Sequence, residues 1–392
     1  MHANRNWLAR LIPAATAAVA IAAFSTPAAF AAAKPAAQTP AQPSAEHGHA
    51  DSGVVFVLTD NTKGNAVIAY RRAADGTLAE AGTYPTGGLG GVLSGSVVDH
   101  TASQGALAYD QARGLLLAVN PGSDTVSVFR VLGDRLALSQ VISSGGAFPV
   151  SVTVHGDHAY VLNALGGGSL YGYQIDGGRI TPTGSFRTLG LGTTAASAFT
   201  ATPGQVAFTP DGRALLVTTK GSGNDVDVFA VHGDGTLSAT PVVNPEPADV
   251  PFAISFDRAG QVLIAEAGPS ALATFTLSPS GVLTQLAVAD TGQAATCWVA
   301  RAGRYFYTSN AGSASVSGYA VAPDGSLTAL GNTSTGAGTV DATAAGHGQF
   351  LYVRAGADGL VDEFAVRGDG TLTPVGSVTV PGGAGGEGIA AS

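Results

Sequence analysis

"VHGDGTLSAT", residues 231–240, follows an alternating apolar run, and near copies of it return along the chain. "AADGTLAEAG" stands at 73–82, "APDGSLTALG" at 322–331 and "RGDGTLTPVG" at 367–376. A glycine-rich acidic loop suits either an ion or a turn. A calcium loop needs several more oxygen ligands at fixed spacing, and these strings lack them. Asp-Gly, in contrast, serves the positive-φ positions of a tight hairpin, and the leucine that follows is then aimed back between sheets.

The surroundings repeat as well. An aromatic closes an alternating run at Tyr70, Phe129, Tyr173, Phe229, Phe275, Tyr319 and Phe364, in steps of 59, 44, 56, 46, 44 and 45 residues. Residues 203–240 hold four strand-like runs separated by Pro-Asp-Gly, Gly-Ser-Gly and Gly-Asp-Gly turns, with no helical period. Seven four-stranded units near 45 residues each predict an all-β fold, a seven-bladed β-propeller over 53–392. "GVVFVLTD" (53–60) matches a second strand with no first strand before it. "GGEGIAAS" (385–392) matches a first strand with nothing after it. The C-terminal strand is therefore expected to complete blade one and close the ring, which removes open sheet edges.

Residues 1–31 read as a signal peptide. Arg5 and Arg10 precede an apolar stretch, and Ala29-Phe30-Ala31 fits a cleavage site. Residues 32–52 read as a flexible Pro/Ala-rich linker. These features predict a secreted, periplasmic or cell-surface protein, with no membrane segment after signal cleavage. The only cysteine is Cys297, so no internal disulfide is available, and beside Trp298 it reads as a buried small residue. The net charge is −9, charged residues are 11%, and lysine occurs only at 34, 63 and 220. That argues against nucleic acid as a partner, since phosphate binding needs clustered cations.

Two insertions, 86–103 and 188–202, fall between a fourth and a first strand and land on one rim. On that rim the second strands end at Asn61, Asn120, Asn163, Lys220, Glu266, Asn310 and Arg354. The first strands begin near Ala106, Ser151, Gln205, Ala253, Thr296 and Asp341, with Glu387 in the last copy. Where charge is scarce, Lys220, Glu266, Asp341, Arg354 and Glu387, together with Gln205, predict a polar cluster at the channel mouth. The alternative is a set of mutually satisfied groups lining a wet channel. His100, in the first insertion, is the histidine on that rim and joins the candidates.

Residues 204–237, "GQVAFTPDGRALLVTTKGSGNDVDVFAVHGDGTL", resemble the blade consensus of the seven-bladed lactonase propellers, the 6-phosphogluconolactonase-like family, to which carboxymuconate-cyclising propellers are related. The resemblance covers 53–392. It implies hydrolysis of a small, sugar-type lactone at the channel mouth; the reaction requires no cofactor, and no residue pattern calls for a metal, although the channel has room for one. Such propellers carry a His after a Pro at a first-strand start, with Arg and Glu nearby. Here the corresponding prolines are followed by Val150, Gly204 and Phe252. Glu266 and Arg354 stand where a mouth Glu and Arg are wanted. In this reading Glu266 or Asp341 is the general base, Arg354 polarises the carbonyl, and Lys220, Gln205, Glu387 and His100 bind substrate. The alternative is a monomeric, non-catalytic propeller that binds a small molecule, glycan or protein on the same rim.

Overall fold

The computed structural model describes residues 53–192, 198–247 and 249–392; the expected signal peptide and linker lie outside these. Seven four-stranded antiparallel sheets follow one another in chain order. Blade one is the exception in sequence. Its innermost strand is Ile389–Ala391, which pairs with Val54–Leu58 in the register Val55↔Ala391, Phe56↔Ala390 and Val57↔Ile389. The ring is thus closed by the C-terminus, as the truncated first and last copies predict.

Burial follows position within a blade. Second strands such as Leu115–Asn120, Tyr305–Asn310 and Phe350–Ala355 are buried along their whole length, because neighbouring blades cover both faces. Fourth strands such as Leu78–Pro85 are largely exposed at the outer edge. Asn120, Asn163 and Asn310, at second-strand ends, are fully buried. Each donates Nδ2 into its own blade or crossover: Asn120 to Ser127 Oγ (2.8 Å), Asn163 to Ser144 O (3.1 Å) and Asn310 to Ser317 Oγ (2.9 Å). In blades two, three and six asparagine at this position is a clasp, whereas Asn61 in blade one is half-buried and accepts Lys63 N–H instead.

The Gly-Asp-Gly string is a hairpin, with one refinement. Only the glycine after Asp takes positive φ, at +93° for Gly76 and +79° for Gly235, while Asp75 and Asp234 do not. Gly235 N–H donates to His232 O (2.8 Å) and His232 N–H to Thr236 O (2.8 Å), a type I turn closed by a glycine bulge. Asp234 Oδ1 accepts from the Thr236 N–H and hydroxyl. Each hairpin also clasps the preceding blade. Tyr352, Tyr160 and Tyr307 donate their hydroxyls to the carbonyls of Gly76, Gly235 and Gly370 at 2.7 Å. A Cβ on Gly235 would lie 2.1 Å from the His158 ring, so close approach as well as φ requires glycine. Tyr307→Phe strands a buried carbonyl, and a loss of about 1–2 kcal/mol is expected from urea midpoints.

Both insertions reach the predicted rim. The first, between Leu78–Pro85 and Leu107–Asp110, crosses the channel mouth as a plug. Gln104 exchanges two 3.0 Å side-chain bonds with the backbone of Val299 in blade six, and Trp298 Nε1 donates to Ser103 O (2.7 Å). Gln104 N–H reaches Gly204 O in blade four, Val152 N–H in blade three reaches Gly105 O, and His100 N–H reaches Gly385 O beside blade one. Gly356 of blade seven packs so tightly on Val98 that a Cβ there would sit 2.2 Å from the Val98 carbonyl.

Candidate active site at the channel mouth

The plug determines what the rim residues do. Asp99 is 2% exposed and accepts from Thr101 N–H, Thr101 Oγ1 and Ser103 N–H, each at 2.9 Å. Lys220 lies beside it, 1% exposed, and donates Nζ to Ala102 O (2.7 Å), Phe199 O (3.0 Å) and Thr202 Oγ1 (3.1 Å). Burial lowers its ammonium to about 7, against the opposing pull of Asp99. Lys220 therefore ties the plug to the second insertion.

Glu387 is fully buried and accepts Gly105 N–H at 2.8 Å. It is hydrogen-bonded to Asp341, and burial followed by the Asp341 charge holds it well above the usual carboxylate range. Burial raises Asp341 to about 7. The two carboxyls share a proton, as close buried acids must. Arg354 donates Nη1 to Leu58 O (2.6 Å) and Nη2 to Gly383 O (2.8 Å), with Glu387 and Asp341 supplying the nearest negative field. Gln205 accepts Ile254 N–H at 2.6 Å, which joins blade four to blade five. Cys297 is buried, and burial pushes its thiol to about 12, so it is not a nucleophile.

The structure thus brings Arg354, Asp341 and Glu387 together, and Lys220 joins their surroundings through Asp99. It puts them beneath the plug rather than on an open rim, where the sequence had them facing a ligand. Glu266 is elsewhere. At the end of Val262–Glu266 it is 1% exposed and faces Glu246 and Asp249 of the blade four to five crossover. Burial and then those two acids raise it to about 8. No described interaction links it to Arg354, so the shared ligand expected between them has no geometric basis here. Blades five and seven are two places apart, and each side chain turns into its own crossover.

His100 is the candidate that still meets solvent. Its side chain is 25% exposed, and Nδ1 lies 3.4 Å from Oδ2 of Asp60, which is 1% exposed. Asp60 follows the strand Val54–Leu58 and accepts Gly91 N–H at 3.2 Å. Burial pushes Asp60 up to about 6, and the close approach of its carboxyl raises the His100 imidazole. At 3.4 Å the pair is an ion-pair contact without hydrogen-bond geometry; with Nδ1 facing Asp60, Nε2 is the other ring nitrogen, and no described residue bonds it. Gly385 lies under the ring; a Cβ there would be 2.1 Å from Nε2. Residues 58–60 and 383–387 therefore contact both His100 and Arg354. An imidazole oriented by a buried carboxylate is suited to taking a proton from water. Sequence reasoning missed Asp60, whose partner lies forty residues away. A groove of about 830 Å³ between Arg213 and Leu277, on the opposite rim, holds no comparable pair.

The buried acids give stability a defined pH dependence. Asp341, Glu387 and Asp227 all have folded values above their unfolded ones, Asp341 and Asp227 at about 7. Their favourable contribution is complete below about pH 4 and is lost as pH rises through 7. Lys220 acts with the opposite sign only above about pH 7. Tm is therefore expected to fall by several degrees between pH 5 and 7, and Glu387→Gln should flatten the slope. A Tm that climbs over that interval would refute the shared-proton pair.

Similarity to known proteins agrees with this architecture. The profile of the family described as "Lactonase, 7-bladed beta-propeller" matches residues 18–274 and 96–385. No curated sequence relative matches. Among solved structures, the periplasmic gluconolactonase PpgL of Pseudomonas aeruginosa aligns at 19% identity and TM-score 0.68, covering 87% of this chain and 99% of that one. A protein of Bacteroides fragilis, provisionally assigned as a 6-phosphogluconolactonase, aligns at 20% identity and TM-score 0.67, covering 86% and 97%. A counterpart from Bacteroides uniformis, with the same provisional assignment, gives 18%, 0.69, 87% and 99%. At such identities the structures speak for the fold, while the profile extends over most of the chain. The chain belongs to the seven-bladed β-propeller lactonase family.

Proposed function

We propose that this propeller hydrolyses a small, sugar-type lactone at the channel mouth, with His100 as general base and Asp60 as the residue that orients it. The observation that carries the reading is the solvent-reached imidazole backed by a buried carboxylate. Nε2 takes a proton from water while the water oxygen attacks the lactone carbonyl carbon. The ring C–O bond then breaks, the departing alkoxide takes the proton back from the imidazolium, and a hydroxy acid leaves. The Arg354 charge, held by the same segments, supplies a positive field for the oxyanion. Asp341, Glu387, Asp99 and Lys220 support the plug that carries His100.

The family membership and a periplasmic gluconolactonase among the structural neighbours support this substrate class. The same neighbour and the leader-like N-terminus support an extracytoplasmic site of action. No described helix is long and apolar enough to cross a membrane. Burial of Lys220, Arg354 and Glu387 favours a second reading, a closed-channel propeller that binds its ligand without turnover. Proton release from D-glucono-1,5-lactone and from simple γ- and δ-lactones separates the two. Hydrolysis above the spontaneous rate supports the enzyme; binding without hydrolysis supports the second reading.

A further inference from the structure

Blade five lacks the asparagine clasp of blades two, three and six. Where Asn120, Asn163 and Asn310 donate an amide at the second-strand end, Glu266 once ionised has no donor to offer. It is 1% exposed, and its Oε1 is buried with no hydrogen-bond partner. The Glu266 carboxyl faces two further acids, Glu246 and Asp249, which reach it from the crossover between blades four and five. One carboxylate oxygen from each residue lies within 4.8 Å of the others. Among the described residues no Lys, Arg or His pairs with any of the three. Three buried or half-buried carboxylates without a cation are costly unless something positive joins them.

We propose that Glu246, Asp249 and Glu266 bind one Ca²⁺, which replaces the asparagine clasp and fastens the blade four to five crossover to the second strand of blade five. The donor set is oxygen only, which suits a hard cation and not Zn²⁺, for which His or Cys would be wanted. Oxygens on a shared Ca²⁺ at about 2.4 Å are at most about 4.8 Å apart, while Mg²⁺ at about 2.1 Å demands a tighter set. Glu246 and Asp249 are half-exposed, which leaves positions for the waters that complete a Ca²⁺ shell. The site is independent of the hydrolytic reading, since Glu266 has no described contact with His100 or Asp60.

The test is calorimetric titration of CaCl₂ into the EDTA-treated, dialysed full chain, with Tm followed in parallel. One Ca²⁺ per chain is expected, with Kd between about 10⁻⁵ and 10⁻³ M, and Tm should rise by several degrees at saturation. Glu266→Gln and Asp249→Asn should each weaken binding by at least about tenfold and remove most of the Tm rise. Asp249 is half-exposed, so its variant remains informative if Glu266→Gln does not fold. Asp234→Asn, in a hairpin, should bind Ca²⁺ like the parent. Three results would overturn the proposal: no heat and no Tm shift up to about 10 mM Ca²⁺, undiminished affinity in both carboxamide variants, or a response to Mg²⁺ that Ca²⁺ does not produce.

Discussion

Deletion of residues 382–392 is expected to abolish cooperative folding or to lower Tm by roughly 10 °C or more, a loss of several kcal/mol. The segment is short but central. It supplies the innermost strand of blade one, with three rungs against Val54–Leu58, and Ser392 Oγ caps Val54 N–H at 2.8 Å. Leu58 N–H bonds Gly388 O (2.9 Å), and Arg354 bonds the carbonyl of Gly383 just upstream. Without the segment the ring opens at blade one and exposes an apolar strand edge. Glu387 is lost too, which removes the acceptor for Gly105 N–H and the partner of Asp341. The plug is then undercut from below. A truncated protein that melts like the parent would show that the ring does not depend on this closure.

Replacing His100 with Gln is expected to lower lactone hydrolysis by about 10²- to 10⁴-fold in kcat, the range a positioned general base supplies. Stability should change by no more than about 1 kcal/mol, because the side chain is partly exposed and the plug is held by the His100 backbone, not its ring. Asp60→Asn should lower the rate less, since the base remains and only its orientation and charge partner are disturbed. Glu266→Gln, in contrast, should leave kcat within about twofold, because that residue makes no described contact with the mouth pair. The three variants together distinguish the His100 site from the Glu266–Arg354 site that the sequence alone favours.

The propeller was legible because its determinants are local and repeated. The string Asp-Gly-Thr-Leu encodes a turn, a glycine with positive φ and an inward leucine within four residues, and it recurs at 75–78 and 234–237. Ring closure was legible for the same reason: "GVVFVLTD" and "GGEGIAAS" are halves of one recurring unit. What repetition could not reveal is the inter-blade clasp from Tyr160, Tyr307 and Tyr352 to the hairpin glycines, which depends on how adjacent sheets lean on each other.

The sequence singled out rim residues but not their arrangement. Departures from Asn at the second-strand ends singled out Lys220, Glu266 and Arg354, and all three charged side chains are buried. Their exposure depends on where the 86–103 insertion lies, and a single inserted loop has no period to read. Gln104 finds Val299 across the channel, 195 residues away in sequence, and so buries the residues beneath. Asp60 stands one residue before Asn61, and nothing local in the sequence links it to His100. Glu246 and Asp249 carried a usable signal, two acids in one crossover of a chain with only 11% charged residues, on the rim where Glu266 stands.

The most direct measurement is the pH dependence of kcat/KM for D-glucono-1,5-lactone with the parent protein and with Asp60→Asn. The rising limb should report His100, whose imidazole Asp60 holds above its ordinary value. Removing the carboxylate charge removes that support, so the limb should move to lower pH in Asp60→Asn while the maximal rate falls. A limb that stays where it was in the variant, or the absence of any hydrolysis above the spontaneous rate in the parent, would contradict a His100–Asp60 site at the channel mouth.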